Sequence, residues 1–561
     1  MTLASDNVPN FRIGLVVRDS KVSKAIYDFV QWARNHRQLQ ITHLFLLPSV
    51  NDERALQTVG EQPPSDRFGS IASAFMFKVI TAAERVLLSR NERYRAYLLP
   101  FDLHPLVAEV IHLSTSARTT GDKGGVSLVE MARINSFSLD LLIDFTNGTL
   151  PGGLASAARV GTISIRYGND GFYRSAPSGF WEVYFQQDTT GFTLHRLVES
   201  GHGNGEIVFQ GCIRTNYYYL LNRAALWDKS IHHLRTIVEE AARAGRLPDA
   251  VRDAPTFKKH HGFPSTGQSC VYLARLIRFV ILKRYRRLMS IENQWNVAFL
   301  RSGWRNADFR RATAIANPPR RYLADPFLIA KDGQLFCFAE DYETREGRGS
   351  ISVAELRDVG TNFVGIALAE SFHLSFPYLF EYRGALYMCP ETSEIREIRV
   401  YKCIEFPLRW CLERVIIKNI SAVDTMLFER NGKWWMLTNV DSSESGDHES
   451  ELHLFSAESP VSAHWTPHPQ NPIMIDATRA RNGGLIRDGD RLFRVGQYQG
   501  FDFYGKSTSV NEIIRLDEDE YVEQCVQTNL PDFQRGVLGT HHLHSVGETT
   551  VFDFVRLGRV R

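Results

Sequence analysis

Four carboxylates in the C-terminal half recur in related settings: Asp325 in ADPF, Glu340 in FAED, Glu391 in CPET and Asp424 in VDTM. Acid–base chemistry at a glycosidic bond needs a pair of carboxyl groups that hold their protons differently. These four are therefore the candidate catalytic groups. Arg321, Arg481, Asn482, Gln497, His541 and His542 occupy neighbouring places in the same pattern. Fixed donors and acceptors of this kind suit a polyhydroxylated ligand, so they are the candidate substrate-binding groups. His541, His542 and His544 also form a histidine-rich run, but no carboxylate stands at a metal-site spacing, and no metal is expected. The competing role for Asp and Asn at such places is to cap turns and bond neighbouring backbone.

These residues fall into line because the sequence repeats. Five segments share one layout of a small or polar pair, an apolar strand, a glycine turn and an aromatic strand. They are ADPFLIAKDGQLFCFAED, SFPYLFEYRGALYMCPET, VDTMLFERNGKWWMLTNV, RNGGLIRDGDRLFRVGQY and the weaker HHLHSVGETTVFDF. Their lead residues Asp325, Phe376, Asp424, Asn482 and His541 follow one another at intervals of 51, 48, 58 and 59 residues. Asp-Gly and Asn-Gly turns between such runs are strong hairpin signals, and a repeat of this length predicts propeller blades. Residues 294–561 thus read as a five-bladed β-propeller. Its lead residues ring the mouth of a central funnel, and Glu340, Glu391, Asn439 and Gln497 form a second ring.

The N-terminal half has a different texture. FRIGLVV, KAIYDFVQWARNH and ITHLFLL read as strand, helix and strand; LDLLIDF (139–145) and VGTISIRY (160–167) read as further buried strands. A helix is expected near 105–113, a glycine-rich loop at Gly121 to Gly125, and a closing helix over 226–245. The prediction is an open α/β domain over 1–245, then a linker over 246–293. Within that linker, SCVYLARLIRFVILKRYRRLMS (269–290) carries Arg275, Arg278, Lys283, Arg284, Arg286 and Arg287 and no acid. It is either an interdomain helix or one that lies in an anionic membrane interface.

A net charge of +2 from 65 basic and 63 acidic residues argues against a whole-surface nucleic-acid binder, so no nucleic-acid partner is expected. The 7 cysteines are scattered without a C-x-x-C pair, which suits reduced thiols. The opening MTLASDNVPNFRIG has no basic and apolar leader pattern, and no uncharged apolar run is long enough to span a bilayer. The expected location is cytoplasmic, with peripheral contact at the inner face of the membrane through 269–290.

The run ADPFLI, SFPYLFEYRGALYMCPET, EFPLRW, VDTMLFERNGKWWML, NPI, ARNGG and RLFRVGQ resembles the N-terminal domain of plant glucosamine inositolphosphorylceramide transferases over roughly 295–555. That resemblance implies a glycan setting. The blades also resemble five-bladed glycoside hydrolases of the arabinanase, xylosidase and invertase type, which implies a base or nucleophile at Asp325. In that pattern a blade-two Asp-Pro is replaced by Phe376-Pro377, and the blade-three acid falls on Asp424. Over about 10–235, LDLLIDFTNGTLP, GTISIRY, FYRSAPSGFWEVY, TGFTLHRL and HGNGEIVFQG resemble the formyltransferase core. The Asn, His and Asp of that family fall on Ser164, Arg166 and Gly203. An arginine cannot serve as a base, so a degenerate formyltransferase-like domain is implied, and no cofactor is expected. Formyl transfer from 10-formyltetrahydrofolate would need a rearranged site at His195, His202 and Glu206. The resulting expectation is a carbohydrate-handling protein of cell-surface glycan or glycolipid synthesis, with a sugar nucleotide, glycan or glycolipid as its partner. The alternatives are an N-formyltransferase acting on an amino-sugar nucleotide and a non-enzymatic, membrane-associated scaffold.

Overall fold

The computed structural model describes residues 11–48, 64–114, 126–146, 150–168, 177–198, 205–251, 261–358 and 360–559. The chain divides between Ile277 and Arg278 into two compact units.

In the first unit, the apolar run Phe11–Val17 forms a buried strand, β1. Helix α1 (Lys24–Asn35) follows, burying Ala25, Phe29, Val30 and Ala33 on one face, as three- and four-residue spacing dictates. Strands β2 (Leu39–Leu46), β3 (Glu109–His112), β4 (Leu141–Asp144), β5 (Gly161–Tyr167), β6 (Thr189–Leu197) and β7 (Glu206–Arg214) complete a seven-stranded sheet. Its order is β3-β2-β1-β4-β5-β6-β7. Strands β1 to β5 pair in parallel. Strand β6 runs antiparallel to both of its neighbours.

Two expectations for this unit change. The helix read near 105–113 is the edge strand β3, because a run this short fits either period and pairing with β2 decides it. The polar stretch before it holds a 25-residue helix, Pro64–Leu88. The loop at Gly121 to Gly125 lies outside the described residues. The closing helix is longer than read, Tyr219–Ala244, and ends on Gly245 in the left-handed conformation. The buried Glu84 carboxylate accepts from the backbone N–H of Tyr219 at 3.0 Å and of Leu220 at 2.7 Å, which caps that helix.

The second unit is a ring of five sheets, confirming the five-bladed propeller. Blade one comprises Arg321–Lys331, Gln334–Glu343, Arg348–Leu356 and Thr361–Leu368. Blade two runs from Ser375–Tyr382 to Arg409–Lys418, blade three from Ala422–Arg430 to Thr466–Pro467, and blade four from Asn482–Asp488 to Tyr521–Asn529. Blade five draws on both ends of the unit: Leu543–Val546 and Thr549–Arg559 pair onward to Ile291–Leu300 and Thr313–Ile315. That pairing of first strand with last closes the ring. The innermost strands touch in succession, and the fifth touches the first.

Hairpin geometry bears out the turn reading. Asp332-Gly333, Arg383-Gly384 and Asn431-Gly432 have φ of 51° and 76°, 50° and 74°, and 57° and 76°. Positive φ at both positions matches the right-handed twist of the flanking strands.

Each of the first four innermost strands also carries a bulge, which slips the register between Ala324 and Phe327, Ser375 and Tyr378, Val423 and Met426, and Asn482 and Leu485. The inserted pairs are Asp325-Pro326, Phe376-Pro377, Asp424-Thr425 and Gly483-Gly484. Blade four therefore corrects the alignment. Its equivalent of Asp325 is Gly483 rather than Asn482, and its equivalent of Glu340 is Gly496 rather than Gln497. The cause is steric: a Cβ on Gly483 would lie 2.4 Å from the His541 carbonyl oxygen, and one on Gly484 would lie 2.3 Å from that of Leu543. With a side-chain period of two, a one-residue slip takes Asn482 and Gln497 off the ring.

Candidate carbohydrate site in the propeller funnel

The three side chains at equivalent bulges are held in the left-handed region, with φ of 50° at Asp325, 46° at Phe376 and 50° at Asp424. Each such residue costs about 1–2 kcal/mol, and strain of this kind collects where a side chain must be aimed. The bulge, fixed by the ladder on either side, holds it in place.

Asp325 meets the fifth blade. Its Oδ1 lies 3.0 Å from Nε2 of His541, whose Nδ1 lies 3.0 Å from Oδ2 of Asp553. Asp553 Oδ1 also accepts from the backbone N–H groups of His541 and His542, both at 3.0 Å. Its Oδ2 accepts from the N–H of Asp325 at 3.2 Å. Asp553 thus joins the first and last blades where the ring closes. Burial opposes charge on His541, but Asp553 and Asp325 outweigh it and raise the imidazole to about 10. Burial likewise opposes charge on Asp325, yet His541 and Arg481 hold its carboxyl below the usual value. Asp325, His541 and Asp553 each bring one ligand atom to within 4.8 Å of the others. With its proton on, His541 makes this cluster an ion triad; with the proton off, the same three groups offer a ligand set for a cation.

Glu340 has the opposite character. Burial, then the charges of Asp325 and Glu391, push its carboxyl well above the ordinary range. Asp424 is raised to about 7 by burial and by Glu391 and Asp325, against the pull of Arg481. Arg481 Nε donates to Asp424 Oδ2 at 2.6 Å, and its guanidinium lies 4.8 Å from the centre of the Tyr504 ring. Glu391 is half-buried and accepts from Ser393 Oγ at 2.7 Å. The surroundings therefore lower the proton affinity of Asp325 and raise that of its neighbour Glu340, the divergence of two carboxyls on which acid–base assignments rest.

Half-buried aromatic rings surround these charges. Trp295 lies 4.0 Å from the His541 ring and Tyr504 lies 5.1 Å from it. Tyr322 stacks on Tyr342 at 4.8 Å, and His373 Nε2 stands 3.6 Å from Glu340. Apolar ring faces beside charged acceptors suit a sugar, whose C–H faces and hydroxyls need both.

Asp325, Glu340, Glu391, Asp424, Arg481 and His541 are thus brought into one electrostatic neighbourhood. Asn482 and Gln497 are not presented at the mouth. The Asn482 amide donates to the Asp424 carbonyl at 2.9 Å, and Gln497 donates to the Asn482 carbonyl at 2.6 Å and to Asp424 Oδ2 at 3.3 Å. Both are fully buried braces between blades three and four. Arg321 pairs with the buried Asp341 at 3.1 Å. His542 is buried between Phe327 and Phe376 at 4.5 Å and 5.4 Å, with neither ring nitrogen bonded among the described residues. Burial holds it neutral. The sequence reading missed Asp553, Trp295 and Tyr504. Asp553 had a signal in the fifth repeat: it sits in the aromatic strand opposite the His541-His542 insertion.

In the first unit, Ser164 Oγ donates to Asp144 Oδ2 at 2.6 Å, and Arg166 NH1 donates to the same oxygen at 3.2 Å. Thr146 supplies both its N–H at 2.8 Å and its hydroxyl at 2.6 Å to Asp144 Oδ1. His195 is buried, with Nε2 2.9 Å from Thr193 Oγ1, and Glu206 pairs with Arg196. Gly203 and His202 lie outside the described residues. Ser164 and Arg166 are thus committed to Asp144.

The site is thus a cluster of buried acids among the innermost strands of a five-bladed propeller, with half-buried aromatic rings beside it. Residues 309–544 match the family "Glucosamine inositolphosphorylceramide transferase 1, N-terminal". The chain is 35% identical over 254 residues to glucosamine inositolphosphorylceramide transferase 1 of Arabidopsis thaliana, covering 42% of this chain and 32% of that protein. Its counterpart in Oryza sativa subsp. japonica is 35% identical over 224 residues, or 39% and 30% of the two chains. The chain thus spans about a third of the length of these relatives. Among solved structures, Zg3597, a family 117 glycoside hydrolase of Zobellia galactanivorans, aligns with a TM-score of 0.32 and 11% identity over 47% of this chain and 90% of its own. The GH62 α-L-arabinofuranosidase catalytic domain of Coprinopsis cinerea gives 0.32 and 12% over 47% and 96%.

Proposed function

We propose that this protein handles a carbohydrate in glycolipid or cell-surface glycan synthesis, and that the sugar occupies the propeller funnel. Asp325 is the ionised proton acceptor and Glu340 the protonated donor; Asp424 and Arg481 orient the ligand, while Trp295 and Tyr504 offer ring faces. The observation that carries this reading is the gathering of Asp325, Glu340, Glu391, Asp424 and Arg481 beside the Asp325–His541–Asp553 triad, where His541 holds the Asp325 carboxyl low and burial, with the charges of Asp325 and Glu391, holds that of Glu340 high. The plant relatives, named for glucosamine and inositolphosphorylceramide, support a glycolipid setting. The first unit is read as a formyltransferase-like scaffold. Its strand order with a single reversed strand supports this, and the commitment of Ser164 and Arg166 to Asp144 argues against formyl transfer there.

The test is calorimetric titration of the full chain with glucosamine, a nucleotide-activated glucosamine and inositolphosphorylceramide in micelles. Binding to at least one is expected, falling tenfold or more in Asp325→Asn/Asp424→Asn. Unchanged binding by that folded double variant would remove the funnel as the site.

A further inference from the structure

The helix carried by the cationic stretch, Thr266–Leu288, behaves as two halves. The first is docked. Ser269, Tyr272 and Leu276 are buried along one stripe, the Tyr272 ring lies 5.3 Å from Phe180, and the Tyr272 hydroxyl accepts from the Tyr219 N–H at 3.0 Å and bonds to Glu84. The Arg275 guanidinium lies over Tyr184 at 5.2 Å.

The second half has no such stripe. Ile277 is 52% exposed, Ile281 60%, Tyr285 54% and Leu288 83%. They stand four, four and three residues apart, which puts them on one helical face. Lys283, Arg286 and Arg287 fall on the opposite face, and Arg278 and Arg284 flank the apolar stripe on its two sides, all exposed. No Asp or Glu occurs between Thr266 and Ile291. Large exposed apolar side chains in a row are costly in water, and cations without acids face a negative partner. No described helix is long and apolar enough to cross a membrane.

We infer that residues 277–288 form an interfacial anchor for an anionic lipid bilayer, with Ile277, Ile281, Tyr285 and Leu288 sunk among the acyl chains and the arginines at the headgroups. Each cation near such a surface strengthens attachment about fivefold, and the electrostatic part is screened by salt. The anchored first half fixes the helix to the N-terminal unit, so attachment holds that unit at the bilayer.

The experiment is co-sedimentation of the full chain with phosphatidylcholine vesicles, with and without one-third phosphatidylserine. Binding is expected only with phosphatidylserine, weakening as salt rises from about 0.1 M to about 0.5 M. Arg284→Glu/Arg286→Glu/Arg287→Glu is expected to lower partitioning about a hundredfold, and Ile281→Ser/Leu288→Ser at least tenfold. Tyr285→Trp fluorescence is expected to shift to the blue on adding the anionic vesicles. A chain that stays in the supernatant at low salt would overturn the inference, as would equal binding to neutral vesicles or unchanged binding by the charge variant. Self-association in sedimentation velocity that Ile281→Ser/Leu288→Ser abolishes, without vesicle binding, would assign the face to a second copy instead.

Discussion

Each unit contains a buried Asp–Arg pair, and the two are built differently. In the N-terminal sheet, Asp144 and Arg166 are 0% and 1% exposed, and the aspartate's two oxygens take four bonds, from Thr146 twice, Ser164 and Arg166. In the funnel, Asp424 sits on a left-handed residue, Arg481 is 15% exposed, and Glu391 and Asp325 load further negative charge onto the pair. The carboxylate of the first pair is fully bonded and sealed from solvent, although the buried Arg166 Nε has no partner among the described residues. The second is held under strain and repulsion with its arginine partly exposed, and a ligand can relieve what the protein does not. The residue types are the same; only the surroundings separate a structural pair from a site.

The largest effect should come from breaking the sealed pair. Arg166→Met takes from the buried Asp144 its only cationic partner among the described residues, and is expected to cost about 3–5 kcal/mol in urea unfolding. Arg481→Met, with solvent at hand, is expected to cost less than half of that while reducing sugar binding at least tenfold. Equal losses of stability, with binding intact in the funnel variant, would erase the distinction.

Proton affinities sharpen it next. His541 is raised to about 10 by two carboxylates, so its folded form binds a proton more tightly than its unfolded form. The stability this contributes is full below its ordinary value near 6.5 and is lost as pH rises through about 10. In Asp553→Asn one carboxylate is gone, and the imidazole should titrate at least one unit lower by NMR. An unmoved titration would mean that the triad does not set the charge. Glu340 is likewise raised, so a function that needs its proton fails as pH rises through its elevated value, while one that needs ionised Asp325 fails only on strong acidification. Glu340→Gln should therefore lose the alkaline limb of the binding profile and keep the acid one.

Much of the propeller was legible because hairpins are local. Asp332-Gly333 and Asn431-Gly432 announce their turns, and the repeat spaces the blades. Position within a blade was legible only where bulges align. In blade four the Gly483-Gly484 bulge lies one residue beyond Asn482, forced by the carbonyls of His541 and Leu543, a contact between blades that no single segment reveals. Asp553 escaped for the same reason: its partners come from blade one and from the backbone of His541 and His542. In the first unit, Ser164 and Arg166 were placed as a matching strand, but their shared partner Asp144 belongs to the neighbouring strand, and only the parallel pairing of Asp144 with Ser164 joins them.

The smallest expected effect tests whether left-handed residues are strained wherever they occur or kept only where they serve. Arg383 has φ of 50° in an exposed hairpin turn, nearly the same as Asp325 and Asp424 in the funnel. Asn tolerates this region far better than Arg. Arg383→Asn should therefore stabilise the propeller by about 0.5 kcal/mol, read as a small rise in urea midpoint with an unchanged slope, and leave ligand binding untouched. Asp424→Asn relaxes the same backbone strain but removes the charge that grips Arg481, so any stability it gains should come with weaker binding. If both substitutions stabilise equally and neither affects binding, the funnel's left-handed residues are ordinary turns, and the strain there has no connection to the ligand.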